Sequence, residues 1–433
     1  MLIIFVVVSH LSLSSVAGEL LRKYNVSNMQ HRYNQNTQSH LFMESTPQLH
    51  RRTDVQQIHH MTSDFIHEVT FVIRQRNMIE LTTILNDVSD PASVNYGRHM
   101  TKEEVAELTS NPEARDAVVS HLTDSGATIV AETLYGEYIT ANASISVWES
   151  MLNTQFFMFH QQKYDSTIRK FVRAESYSIP IGLQLHVEGV FNAVDMPPPY
   201  LGSFGKVVRE EEGAEENTLA ATSFMVPATL RKFYNVSNTK GSSASTQAVF
   251  ATIEQYFSPS DLATFQSEAK LPLQKVFKSV GGRSSDAVCV ADPDSCAEGN
   301  LDVQYIMAAS PISPTTYWYS GDSWSGWLKS VANTPKPPLV FSISYGSEED
   351  FVSESEKKAF NTEAIKLSAI GVTIVAASGD DGAVSRELRS GGSAVCSYVS
   401  IFPASNPFVT AVGATSVSTV MSFRSLEFLD MPL

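Results

Sequence analysis

Residues 297–310 read AEGNLDVQYIMAAS. On a helix, Glu298 and Asp302 share one face, one turn apart. The positions between and after them are apolar or aromatic: Leu301, Val303, Tyr305, Ile306 and Met307. Such a helix is mostly buried, and buried carboxylates are costly unless they are paired or used. An acidic i,i+4 pair is ordinarily a solvated face, or a helix N-terminus that draws negative charge. Two further stretches give this one more weight. Residues 342–346, SISYG, end an apolar run, and residues 378–382, SGDDG, follow the apolar run at 372–377.

Working outward, short apolar runs at 247–253, 274–277, 315–319, 339–344, 372–377 and 408–413 alternate with helical stretches at 297–310, 323–331 and 353–370. That alternation predicts an α/β domain with a doubly wound parallel sheet. Sites in such sheets lie outside the carboxyl ends of the strands, where SISYG and SGDDG both fall. The N-terminal half reads differently. A strand at 67–74, a helix at 77–86, a helix opened by a Thr101–Glu104 capping box, a helix at 113–125, strands at 128–132 and 138–141, a helix at 146–156 and a strand at 157–160 suggest an α+β domain with a ferredoxin-like antiparallel sheet.

Composition sets the outer limits. The 433 residues allow two or three domains, and the net charge of -15 argues against nucleic acid or an anionic membrane as partner. Residues 2–17 are apolar and end in small residues, which fits a signal peptide over residues 1–18 better than a membrane span. Residues 24–57 are rich in Asn, Gln and His, a mobile leader by composition, assigned to 19–60. Asn25, Asn142 and Asn235 begin glycosylation sequons. After Pro197-Pro198-Pro199, the Gly- and Glu-rich stretch to residue 222 reads as an acidic linker open to cleavage. Of three cysteines, Cys289 and Cys296 can close a short loop just before Glu298, which leaves Cys396 without a partner in the chain. No CxxC pair or His cluster suggests zinc, and no metal-ligating residues are assigned.

Taken together, residues 254–265 (EQYFSPSDLATF), 300–308 (NLDVQYIMA), 342–346, 378–382, 404–416 (ASNPFVTAVGATS) and 88–97 (VSDPASVNYG) resemble the sedolisins, the serine-carboxyl peptidases. The resemblance implies a subtilisin-like fold at 223–433, an activation prodomain at 61–196 and a processing site near residues 217–224 in the 197–222 linker. It implies Glu298 as general base, Asp302 holding it through a shared proton, and Asp380 as oxyanion donor. Ser344, Tyr345 and Gly346 resemble the strand end that pairs with substrate backbone.

A carboxylate base suits an acidic compartment, because its reference pKa is about 4 against ~6.5 for imidazole. The implied activity is a serine-type endopeptidase or tripeptidyl aminopeptidase, secreted or lysosomal or vacuolar. Its substrates would be peptides or unfolded proteins, with its own prodomain in the cleft. The family carries its nucleophile in Ser-Gly-Thr-Ser, which does not occur in this sequence. Ser416 matches an earlier Thr-Ser stretch of the family instead. Calcium is implied for the family, but no matching ligands are found. Residues 417–433 no longer follow the family, and the expectation is a C-terminally truncated domain, either a truncated form or an incomplete gene model. The competing reading is an inactive form whose prodomain binds or inhibits a full-length sedolisin.

Overall fold

The computed structural model of the chain describes residues 39–47, 49, 52–163, 167–198, 226–236, 241–321, 323–382 and 398–414. The expected signal peptide, Asn25, the processing site, Cys396 and Ser416 lie outside the described residues.

Two strands, β1 (His40–Ser45) and β2 (Val55–His60), occupy the stretch whose composition predicts a mobile leader. They are edge strands, exposed along much of one side, and so their sequences are polar. Partly buried Leu41 and Met43 still reach the core, and buried Glu44 accepts a hydrogen bond from Tyr177 at 2.9 Å. The domain continues through β3 (Ile66–Ile73), α1 (Met78–Ser89), α2 (Lys102–Thr109), α3 (Pro112–Asp124), β4 (Thr128–Glu132), β5 (Tyr138–Ser144), α4 (Ile145–Leu152), β6 (Phe156–Gln162), β7 (Ile168–Ala174), β8 (Ser176–Pro180) and β9 (Val187–Phe191). The Thr101 capping box forms at the start of α2.

The main sheet has the order β4-β5-β3-β9 with every neighbour antiparallel, the ferredoxin-like arrangement. Its fourth strand is β9, whereas the sequence pattern gave that place to β6. Strand β6 instead pairs with β2 and β7 in a second sheet. Both segments are short and apolar, and alternation alone cannot tell which of them sits beside β3. β1 pairs with β8.

The second half contains α5 (Pro227–Phe233), β10 (Gln247–Ala251), α6 (Pro259–Glu268), β11 (Lys278–Val280), α7 (Asp286–Ala291), α8 (Ala297–Ala309), β12 (Thr315–Tyr319), α9 (Trp324–Ala332), β13 (Val340–Ile343), β14 (Ser347–Glu348), α10 (Glu354–Ala369), β15 (Thr373–Ala377), β16 (Ile401–Phe402) and β17 (Thr410–Val412). Six of these strands form one sheet of order β11-β12-β10-β13-β15-β17, parallel throughout. The run at 274–277 is not one of them. The strand runs from Lys278 to Val280; Phe277 just before it gives its N–H to the Thr315 carbonyl at 2.8 Å, but its side chain is largely exposed.

Alternation along the strands sends side chains to opposite faces. Val249, Ala251 and Tyr317 pack against Val303, Ile306 and Met307 of α8. Ala248, Phe250, Phe341 and Ile343 pack against Trp327, Leu328 and Phe360 from α9 and α10. The first domain joins this second core directly: Val72, Tyr138 and Phe191 belong to it. Gly189 of β9 lies so close to α10 that a Cβ there would come 2.3 Å from Ser355 Cβ.

Candidate active site

Helix α8 starts at the carboxyl end of the sheet, and four contacts fix its first turn. Cys296, the residue before it, is bridged to Cys289 of α7. No side chain caps the helix from its own N-cap position. Gln255, just beyond β10, supplies the acceptor instead, its Oε1 taking the backbone N–H of Glu298 at 3.2 Å. Tyr317 of β12 donates its hydroxyl to the Gln255 carbonyl at 3.0 Å. Tyr256 lies against Gly299, where a Cβ would be 2.1 Å from the Tyr256 carbonyl oxygen. To bring Gln255 there, Ile253 and Glu254 both adopt left-handed backbone, with φ of 50° and 58°. That conformation is rare for a β-branched residue and is held only by surrounding contacts.

The carboxyl groups of Glu298 and Asp302 are both buried. Ser344, one residue past β13, donates its hydroxyl to Asp302 Oδ1 at 2.7 Å. Among the described residues, neither Glu298 Oε1 nor Asp302 Oδ2 has a hydrogen-bond partner. Burial, with the charge of Asp380 added, pushes Glu298 up to about 7. Burial and then the Glu298 charge hold Asp302 well above the usual carboxylate range, while the Ser344 bond opposes both. Burial thus favours the protonated form of both acids, and the charge of Glu298 adds to this at Asp302.

Asp380 sits in the turn after β15, behind Gly379 with φ 93°, and is exposed. Its charge is felt at Glu298, so the structure brings Glu298, Asp302 and Asp380 into one electrostatic neighbourhood. The SISYG residues are arranged differently from a bare substrate-pairing edge. Ser344 is engaged with Asp302, and the buried Tyr345 ring meets Phe250 edge-on at 5.8 Å. Gly346 packs against β16, where a Cβ would lie 2.7 Å from an Ile401 side-chain carbon. Asn142 is half-buried in β5, and Asn235 is exposed just after α5.

Sequence reasoning did not anticipate Gln255, Gly299 or the Ser344–Asp302 bond. A signal existed for Gly299, because glycine in the first turn of a buried helix is unfavourable by about 1 kcal/mol and implies a close approach. Nothing local marks Gln255. Among the described residues, no group of three or more His, Cys, Asp or Glu side chains is placed to hold a metal ion. Nor is any helix among them long and apolar enough to cross a membrane.

Known proteins resemble the chain in both halves. Residues 53–196 match the activation domain of pro-kumamolisin. Tripeptidyl-peptidase 1 of Pongo abelii is 31% identical over 366 residues, covering 80% of this chain and 61% of its own length. Tripeptidyl-peptidase 1 of Dictyostelium discoideum is 32% identical over 384 residues with the same coverage. The chain thus spans about three fifths of the length of these relatives. A solved Pseudomonas sedolisin, a serine-carboxyl proteinase, matches at 22% identity and a TM-score of 0.35, covering 45% of this chain and 55% of its own; the fold described above does not rest on it. An activation domain of the pro-kumamolisin kind before a parallel α/β sheet, and similarity to tripeptidyl-peptidase 1 over four fifths of the chain, support membership of the sedolisin family.

Proposed function

We propose that this protein is the proenzyme of an acid-acting serine-type peptidase that cleaves unfolded peptides in a secreted, lysosomal or vacuolar setting. The observation that carries this reading is the buried Glu298–Asp302 pair, joined through Ser344 and within the field of Asp380. In the proposed reaction Glu298 takes the proton of an attacking serine hydroxyl, and Asp302 holds the carboxylate in place through a shared proton. Asp380, protonated in acid, donates a hydrogen bond to the oxyanion. Ionised, it would repel that charge, so the reading expects activity confined to acid.

The nucleophile of the family lies in a Ser-Gly-Thr-Ser motif that the 433 residues do not contain. The test therefore uses the protein purified from its natural source with an antibody to the second domain, assayed at pH 4–5 on peptides with free and with blocked N-termini. Hydrolysis of either supports the reading, and preference for the free N-terminus assigns the tripeptidyl aminopeptidase class. Absence of hydrolysis after linker cleavage overturns it.

A second reading, in which the prodomain binds a full-length relative, draws on the apolar docking of Val72, Tyr138 and Phe191 on the second domain. It predicts that the recombinant 433-residue chain inhibits an active sedolisin. Undiminished activity at saturating chain would discard it.

A further inference from the structure

Ser344 stands in the stretch that the family resemblance assigns to substrate backbone, and its side chain is turned toward Asp302. The residue is 3% exposed, its hydroxyl donates to Asp302 Oδ1 at 2.7 Å, and it lies close enough to Glu298 to favour the charged form of that carboxyl as well. We propose that Ser344 is a positioning residue of the carboxyl pair: its hydroxyl occupies Asp302 Oδ1 and so directs the shared proton to the face between Asp302 Oδ2 and Glu298 Oε1. The inference rests on the peptidase reading for its purpose but not for its geometry.

Three features support it. A hydroxyl that donates to one carboxyl oxygen favours the charge on that carboxylate, and leaves the other oxygen as the place for a proton. The two oxygens left over, Asp302 Oδ2 and Glu298 Oε1, are the buried ones without a hydrogen-bond partner among the described residues. In this proposal a proton shared by the pair is what satisfies both, since buried polar oxygens left unsatisfied are costly. The hydroxyl is also held at the correct depth, because Ile343 just before it is locked in the sheet beside Phe250 and Ala376.

The groups that face the pair are Asp380 beyond β15, Tyr317 of β12 and Tyr345 beyond β13. Burial keeps both phenols neutral well past the working range, with the carboxylates adding to that effect. Among these groups Asp380 contributes charge and Ser344 contributes the hydrogen bond that opposes it.

The test reads titration rather than turnover. The full chain is labelled with 13C at its Asp and Glu carboxyl carbons, and E298Q and D302N assign the two signals. In S344A the midpoint of the pair should move upward by about one pH unit, because the bond that favours the charged form is gone. S344T, which keeps the hydroxyl, should stay within a few tenths of a unit of wild type. Should S344A not fold, S344C, a weaker donor of similar size, should shift in the same direction by a smaller amount. Unchanged midpoints in folded S344A or S344C, or S344T shifting as far as S344A, would overturn the assignment. Peptide hydrolysis is scored separately on the source-purified protein, so a shifted midpoint with no hydrolysis would sink the peptidase reading and leave the role of Ser344 standing.

Discussion

Gly299 lies between the two acids in sequence and has no room for a side chain, since its Cβ would meet the Tyr256 carbonyl at 2.1 Å and the Tyr317 hydroxyl at 2.8 Å. Both atoms belong to the framework that holds the start of α8, so neither can yield without moving Glu298. G299A should therefore destabilise the second domain by about 1–3 kcal/mol, the range for forced overpacking, read as a lower midpoint in urea denaturation. An unchanged midpoint would mean that α8 shifts freely and that Glu298 is not rigidly placed. Asp380 acts on the same residue at a distance. Its negative charge raises Glu298, so removing the charge in D380N should lower the midpoint of the Glu298 carboxyl in the 13C titration. A midpoint that stays put would separate Asp380 from the site.

Helix α10 shows what an element contributes that no single residue reveals. Lys366 on α10 is buried and gives hydrogen bonds to Glu137 of the first domain at 2.9 Å and to Glu363 at 3.0 Å. Tyr138 adds its hydroxyl to Glu363 at 3.3 Å. K366A would leave two buried carboxylates without their cation, and a loss of about 3–5 kcal/mol is expected in equilibrium unfolding. Replacing the three charges together, as E137Q, E363Q and K366M, should restore much of it, and failure of the triple variant would show that the ions themselves are required. None of this cluster was legible in the sequence. Lys366 reads there as an ordinary polar position on a long helix, because its partner Glu137 lies 229 residues away. What was legible depended on local rules. The period of α8, the Thr101 cap and the strand at 315–319 follow from spacing and from capping chemistry. The choice of β9 over β6 beside β3, the folding of β1 and β2 out of a polar stretch, and the reach of Gln255 to α8 depend on which surfaces meet, and a linear pattern does not carry that information. The acid pair was legible because its two members sit one helical turn apart; the side-chain bond of Ser344 to Asp302 was not.

At the scale of the whole molecule, His67 in the first domain and the raised acids Glu298 and Glu356 in the second pull stability in opposite directions as pH changes. His67 in β3 is half-buried near Arg173 and held down to about 4, loss of solvent being the larger cause, while its Nε2 meets the Asn192 carbonyl at 2.9 Å. Its folded value lies below the ordinary 6.5, so the unfolded state binds the extra proton. The first domain should then lose on the order of 3 kcal/mol as pH falls from about 6.5 to about 4, and H67Q should flatten that loss in acid-dependent unfolding. Glu298 and Glu356 have the reverse sign. Burial, reinforced by neighbouring carboxylates, raises them to about 7 and about 8. Their stabilising protons are fully bound below about 4.5 and are lost as pH rises through the folded values, so the second domain is favoured in acid. Acid thus costs stability at His67 and adds it at Glu298 and Glu356, in keeping with the function proposed above. All of this depends on the pair being poised to share a proton, and the most direct test is the 13C carboxyl titration of Glu298 and Asp302 in the wild-type chain. The account predicts that Glu298 titrates near pH 7 and that Asp302 keeps its proton far above the usual aspartate range. Two independent midpoints near pH ~4, the values of exposed carboxyls, would contradict it.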